Sequence, residues 1–160
     1  MMVTEEIEII SSRDPVWEAI TDIENWEGMI SSIISINILQ NPSDSLVGLK
    51  WEETREMYGK KAMETMWITD SVVNEYYCTR AQSHGSVYIT RLSLKDSGSG
   101  TLLRMSFNGI AQTGIARILS FLMGPLIRRS IRKALIKDLE DIIVYVEKNL
   151  QLPRADALRD

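Results

Sequence analysis

The stretch Thr113–Leu150, TGIARILSFLMGPLIRRSIRKALIKDLEDIIVYVEKNL, sets the architecture of this chain. Within it, Ile127, Ile131, Leu135, Leu139, Ile142 and Val146 recur at spacings of four, four, four, three and four. With about 3.6 residues per helical turn, those side chains form one stripe along a long amphipathic helix. A stripe of that length must be covered by something. Gly124-Pro125 interrupts the run, and proline removes an amide donor and crowds the preceding turn. The expectation is a break or kink there, with Ile115 to Met123 as a separate tilted turn or flap.

The cover comes from the residues before it, which read as strands. Val3, Ile7 and Ile9 set against Thr4, Glu6 and Glu8 give a first strand over Val3 to Ser11. Asp14-Pro15 then reads as a helix start, with a capping carboxylate and a proline at the first helical position. A short helix through Val16, Trp17 and Ile20 follows, and Asp22 to Gly28 supplies a second. Ile34, Ile36 and Ile38 alternate with Ser35 and Asn37 in a second strand, closed by the turn Asn41-Pro42-Ser43-Asp44.

The next hairpin is the most decodable part. Leu49, Trp51, Glu53, Arg55 and Met57 share one face. A turn with Gly59 first and Lys60 second pairs Tyr58 with Lys61, Met57 with Ala62, Arg55 with Glu64, Glu53 with Met66 and Trp51 with Ile68. Starting the turn one residue earlier would set Glu53 against Glu64, a like-charge pair that costs stability, so the first register is expected. That register makes Leu49, Trp51, Met57, Ala62, Met66 and Ile68 the more apolar face, with Glu53, Arg55 and Glu64 embedded in it. Three further strands, Glu75 to Gln82, Ser86 to Lys95 and Thr101 to Ala111, are separated by Ser83-His84-Gly85 and Asp96-Ser97-Gly98-Ser99-Gly100. The expected order is strand, two short helices, six strands, long helix: an α+β chain with about seven antiparallel strands, one domain over residues 1–150 and a frayed tail over 151–160.

Composition narrows the function. The net charge of −4 offers no electrostatic footprint for general nucleic-acid binding, so no nucleic-acid partner is expected. Cys78 is the single cysteine, which excludes an intrachain disulfide and a multi-thiolate metal site and fits the cytoplasm. The opening MMVTEEIEII lacks the pattern of a signal peptide, and no apolar run is long enough for a membrane span. Gly98-Ser99-Gly100 lacks the lysine and following helix of a phosphate loop. The lone His84 founds neither an ordinary zinc site nor a triad, and reads as a surface turn residue. No cofactor and no metal are expected.

Taken in order, four signatures resemble the SRPBCC superfamily of START, Bet v 1 and polyketide-cyclase-like proteins, most closely its polyketide cyclase/dehydrase branch. They are Arg13-Asp14-Pro15-Val16-Trp17, Gly48-Leu49-Lys50-Trp51-Glu52-Glu53-Thr54, Ile68-Thr69-Asp70, and Thr113-Gly114 leading into Gly124-Pro125-Leu126. The likeness runs from about Val3 to Leu150. It implies a helix-grip fold: a curved antiparallel sheet wrapped around the C-terminal helix, with an elongated hydrophobic cavity between them. Fold alone leaves the chemistry open.

The cavity is where function is sought. Glu53, Arg55 and Glu64 form the sharpest constellation, because buried charges must be paired and a neutralised arginine can orient a ligand oxygen. Three readings stand: a structural ion pair at the cavity rim, a ligand-orienting group, or an acid/base catalyst using Glu53 or Glu64. Met57, Met66 and Met105 lie on inward faces, where they suit either an adaptable pocket or ordinary core. Trp51 and Phe107 carry the same two meanings. The expected ligand-binding set is Trp51, Glu53, Arg55, Met57, Glu64, Met66, Leu92, Met105, Phe107, Phe121, Ile131 and Leu135. The expected partner is a small hydrophobic ligand. Ile118 to Met123, with the basic Arg128 to Lys137 run, suits transient contact with an anionic membrane or assembly of a homodimer.

Overall fold

The computed structural model describes residues 1–57, 59–83 and 85–151. Seven strands form one antiparallel sheet: β1 (Met2–Ile9), β2 (Ile33–Gln40), β3 (Lys50–Met57), β4 (Lys60–Val72), β5 (Tyr76–Ser83), β6 (Ser86–Asp96) and β7 (Thr101–Ala111). Their spatial order is β1-β7-β6-β5-β4-β3-β2, so only β1 leaves chain order, pairing with β7 along its whole length. Between β1 and β2 lie α1 (Arg13–Thr21), a 3₁₀ turn (Ile23–Asn25) and α2 (Trp26–Met29); α3 (Gly114–Gln151) closes the chain. This is the curved sheet gripping one long helix that the helix-grip expectation describes.

Curvature comes from irregular pairing. Register shifts between Ile33 and Ser35, Ile38 and Gln40, and Ile68 and Asp70 each add a residue to one side of a ladder, which bends the strand and raises its twist. The first of these also changes the inward set of β2. Ile33 is buried, Ile34 is exposed, and Ile36 and Ile38 return to the core, so the simple alternation expected from Ile34 onward fails at its first member.

The core fills the space between sheet and helices. Val3, Ile9, Trp51, Ile68, Tyr77, Leu92, Leu103 and Met105 from the strands meet Leu135, Leu139, Ile142 and Val146 of α3. Val16, Ile20 and Ile23 close one end. Tyr77 Oη donates to the Ile20 carbonyl at 2.8 Å, and its ring meets Trp17 edge-on, which fastens α1 to the sheet. Where β7 begins beside the end of β1, a Cβ on Gly100 would stand 2.1 Å from the Ile9 carbonyl oxygen, so only glycine fits.

Three sequence expectations change. The N-cap of α1 is Ser12, without a side-chain bond; Asp14 sits in the first turn and accepts from Asn74 Nδ2 at 2.8 Å. α3 is continuous, with Pro125 inside it, so Gly124-Pro125 does not divide it into separate elements. The third change is the register of β3 and β4. Met57 pairs with Lys60, Lys61 with Glu56, Arg55 with Ala62, Glu53 with Glu64 and Trp51 with Met66. Gly59, at φ +72°, is the last residue before the return strand rather than the first of the turn. The expected partner Tyr58, the turn residue His84 and the tail beyond Gln151 lie outside the described residues.

Candidate functional site

Glu53 and Arg55 stand two residues apart on β3, and that spacing puts both side chains on the sheet face turned toward α3. Glu53 is 4% exposed. Its carboxylate accepts from Arg55 Nε through one oxygen and from Trp51 Nε1 at 3.3 Å through the other. Arg55 Nη1 donates to Asp138 Oδ2 at 2.8 Å and to Ser32 Oγ at 3.0 Å. β3, α3 and the segment before β2 therefore converge on one guanidinium. Such pairing is what makes burial of these charges tolerable. It also makes the register tolerable, since Arg55 pairs with Glu53 and offsets part of the penalty for placing it opposite Glu64.

The electrostatics follow from that convergence. Burial works against the Arg55 charge, but the Glu53 and Asp138 carboxylates outweigh it and raise the guanidinium pKa above its ordinary value. Asp138 is held above the usual carboxylate range by burial, with Arg55 opposing that rise. Burial, with Glu53 adding to it, drives the Tyr77 phenol upward as well. Two polar atoms, Trp26 Nε1 and Thr79 Oγ1, are buried with no partner among the described residues. Trp26 meets Trp51 edge-on at 6.4 Å, which sets its ring against the residue that caps Glu53.

A second ion pair fastens α3 farther toward its start. Glu5 points inward from β1 and meets Arg132 Nε at 2.7 Å. Beyond it, a pocket of about 260 Å³ lies between α3 and β6–β7, lined by Ser86, Tyr88, Gly109, Ala111, Arg117, Gly124, Ile127 and Ile131. Another of the same volume lies between α1 and the end of α3, around Pro15, Ala19, Tyr145 and Leu150.

The expected ligand-binding residues divide between these features. Trp51, Leu92, Met105 and Leu135 are buried in the core; Met66 and Phe107 pack against it. Ile131 lines the β6–β7 pocket, and Phe107 backs it by stacking on Tyr88 at 5.7 Å. Glu53 and Arg55 are brought together; Glu64 faces Glu53 across the ladder. Phe121 is on the outside, and the side chain of Met57 lies outside the described residues. Cys78 is half-buried, and burial raises its thiol pKa against the pull of Arg91.

Asp138, Ser32, Glu5 and Tyr88 were missed in the sequence. For Asp138 a signal existed: it falls three residues after Leu135 and four before Ile142, an acid on the apolar stripe itself. Glu5 likewise lies between Val3 and Ile7 on the inward face of β1. Ser32 and Tyr88 carry no such mark.

No family model matches the chain, and no curated protein matches it. Solved structures do. A START superfamily protein from Mycobacterium smegmatis is 18% identical, with a TM-score of 0.78 over 92% of this chain and 98% of that one. TTHA0849 from Thermus thermophilus is 13% identical, with a TM-score of 0.77 over 93% and 99%. The Zhui aromatase/cyclase from Streptomyces sp. R1128 is 12% identical, with a TM-score of 0.73 over 98% of each chain. START proteins and polyketide aromatase/cyclases are thus the structural neighbours, in line with the SRPBCC resemblance, and at these identities the shared property is the fold.

Proposed function

We propose that this protein binds a small hydrophobic molecule between its sheet and α3, and carries it in the cytoplasm rather than transforming it. Lipids, polyketides, isoprenoids and aromatic metabolites are the candidate classes. The observation behind this reading is the 260 Å³ pocket between α3 and β6–β7. Its volume falls just under the roughly 300 Å³ at which small-molecule sites begin, so a compound of one or two rings fits without rearrangement. Tyr88, Ile127 and Ile131 offer apolar wall, and removal of ligand surface from water yields about 25 cal/mol per Å² before ordering costs.

Ile131, Leu135 and Asp138 follow one another along one side of α3, about 10 Å from first to last. A ligand that displaces the buried Leu135 side chain would reach the Arg55 cluster. There Arg55 would give a carbonyl or carboxylate a charge-assisted hydrogen bond and fix its orientation. Trp51, Met66, Leu92, Met105 and Phe107 would surround that inner part. Native mass spectrometry of protein purified from its own host tests the reading. The wild type retains a small molecule, and Ile131→Trp, which fills the pocket, retains about tenfold less. Undiminished retention by the variant overturns it.

A second reading has one observation in its favour. Burial raises the pKa of Asp138, as a general acid requires, and aromatase/cyclases of polyketides share this fold. In that case Asp138→Asn, Glu53→Gln or Glu64→Gln abolishes turnover of a polyketide-like substrate and preserves its binding.

A further inference from the structure

We propose that the outward face of the first half of α3 docks onto an anionic phospholipid bilayer. Ile115, Ile118, Leu122, Leu126, Arg129 and Lys133 succeed one another at spacings of three, four, four, three and four, which places them on one side of the helix. The four apolar members are exposed, and Phe121 beside them is 86% exposed. The other side of the same stretch is already engaged: Ala116 is buried, and Gly124, Ile127 and Ile131 line the pocket. The seam is thus a second apolar surface on a helix whose first is in use.

Charge selects the occupant. From Ser97 to Lys137 the chain carries seven basic residues and no acidic one, in a protein whose net charge is −4. Arg104, Arg132 and Lys137 are paired with Glu6, Glu5 and Asp141. Arg128, Arg129 and Lys133 are exposed and make no ion pair with any described residue. Unpaired cations flanking an apolar seam match the boundary between acyl chains and anionic headgroups. A second copy of the chain docked through the same stretch would instead bring these cations no acidic partner, since Ser97 to Lys137 contains none. No described helix is long and apolar enough to cross a membrane, so α3 lies in the plane of the interface. The docking face stands on its own charge and exposure, independent of whether the pocket holds a ligand.

Vesicle co-sedimentation of the full chain tests this, beside sedimentation velocity of the protein alone. Vesicles of phosphatidylcholine with about 30 mol % phosphatidylserine bind the protein, and binding weakens with added salt. Pure phosphatidylcholine binds at least about tenfold more weakly. Phe121→Ser with Leu122→Ser, and separately Arg128→Gln with Arg129→Gln, each lower binding about tenfold without changing the far-ultraviolet circular dichroism. Should a variant fail to fold, the lipid and salt dependence of the wild type decides alone. Absence of binding, or equal binding to both vesicle types, overturns the proposal. So does a dimer that the serine substitutions dissociate with no vesicle binding, which would make the face a self-association surface.

Discussion

Asp138 Oδ2 accepts a hydrogen bond from Arg55 Nη1 at 2.8 Å, tying the middle of α3 to the inward face of β3. With Glu53 on the other side of the guanidinium, two carboxylates hold one cation in a site that none would occupy alone. Removing one member leaves the others buried without compensation. Asp138→Ala is therefore expected to cost about 3 kcal/mol, the low end of the range for a broken buried pair, because Arg55 keeps Glu53. The double variant Arg55→Met with Asp138→Leu costs less than the two single changes added together. Urea denaturation of Asp138→Ala, Arg55→Met, Asp138→Leu and the double variant checks this, and strict additivity would show that the pair is not energetically coupled.

The Tyr77 hydroxyl offers a cleaner test of how the helices are held. Its ring is fully buried and its hydroxyl donates to the Ile20 carbonyl at the end of α1. Tyr77→Phe keeps the edge-on contact with Trp17 but leaves that carbonyl without this donor. A loss of about 1–2 kcal/mol in urea denaturation is expected. A change near zero would mean that water reaches the carbonyl and the α1 end is open.

How much of this could be read from sequence differs from element to element. Strand alternation placed β7 at Thr101 to Ala111, where it lies. The β3–β4 register was missed by two residues for a definite reason. A slip of one residue turns every side chain to the other face, but a slip of two preserves the face, so the hydrophobic pattern is blind to it. Only the Glu53–Glu64 repulsion remained to choose between registers. That local argument failed because Arg55, on the same strand, pairs with Glu53, and Asp138, on a helix far along the chain, holds that guanidinium in place. The Arg55 cluster was half legible for the same reason: its β3 members share a strand, whereas Asp138 and Ser32 arrive through tertiary packing. Pro125 was read as a helix breaker. In place it sits on an exposed side of α3, where the helix continues across a single missing hydrogen bond.

Acid should weaken one specific attachment of α3. Asp141 accepts from Ser31 N at 2.8 Å and Ser31 Oγ at 2.7 Å, and pairs with Lys137. Partial burial pushes its pKa up, but these hydrogen bonds outweigh it and hold the carboxyl below its ordinary value of 3.8. A depressed folded-state pKa contributes stability that is present above the unfolded value and lost as pH falls through the folded one. Asp141→Asn should therefore be less stable than the wild type by about 1 kcal/mol near neutrality. The gap should close below pH 3.8, as the wild-type carboxyl protonates. Urea denaturation across that range measures it, and a gap independent of pH would assign the effect to packing.

Pro125 makes the first third of α3 weaker than its length suggests. Proline in a helix interior costs roughly 3 kcal/mol relative to alanine, because one backbone bond is absent and the ring crowds the preceding turn. The seam residues Ile115, Ile118 and Leu122, on the N-terminal side of that gap, are exposed, so little tertiary burial compensates there. By contrast, Leu135, Leu139, Ile142 and Val146 anchor the rest of the helix in the core. Opening of α3 should therefore begin before residue 125 and stop short of Asp138. Pro125→Ala is expected to slow hydrogen exchange of the amides over residues 115–126 by one to two orders of magnitude, roughly, and to leave those after Asp138 unchanged. If the two ends of α3 gain protection equally, the helix opens as one unit and Pro125 does not separate a mobile first third from the anchored remainder.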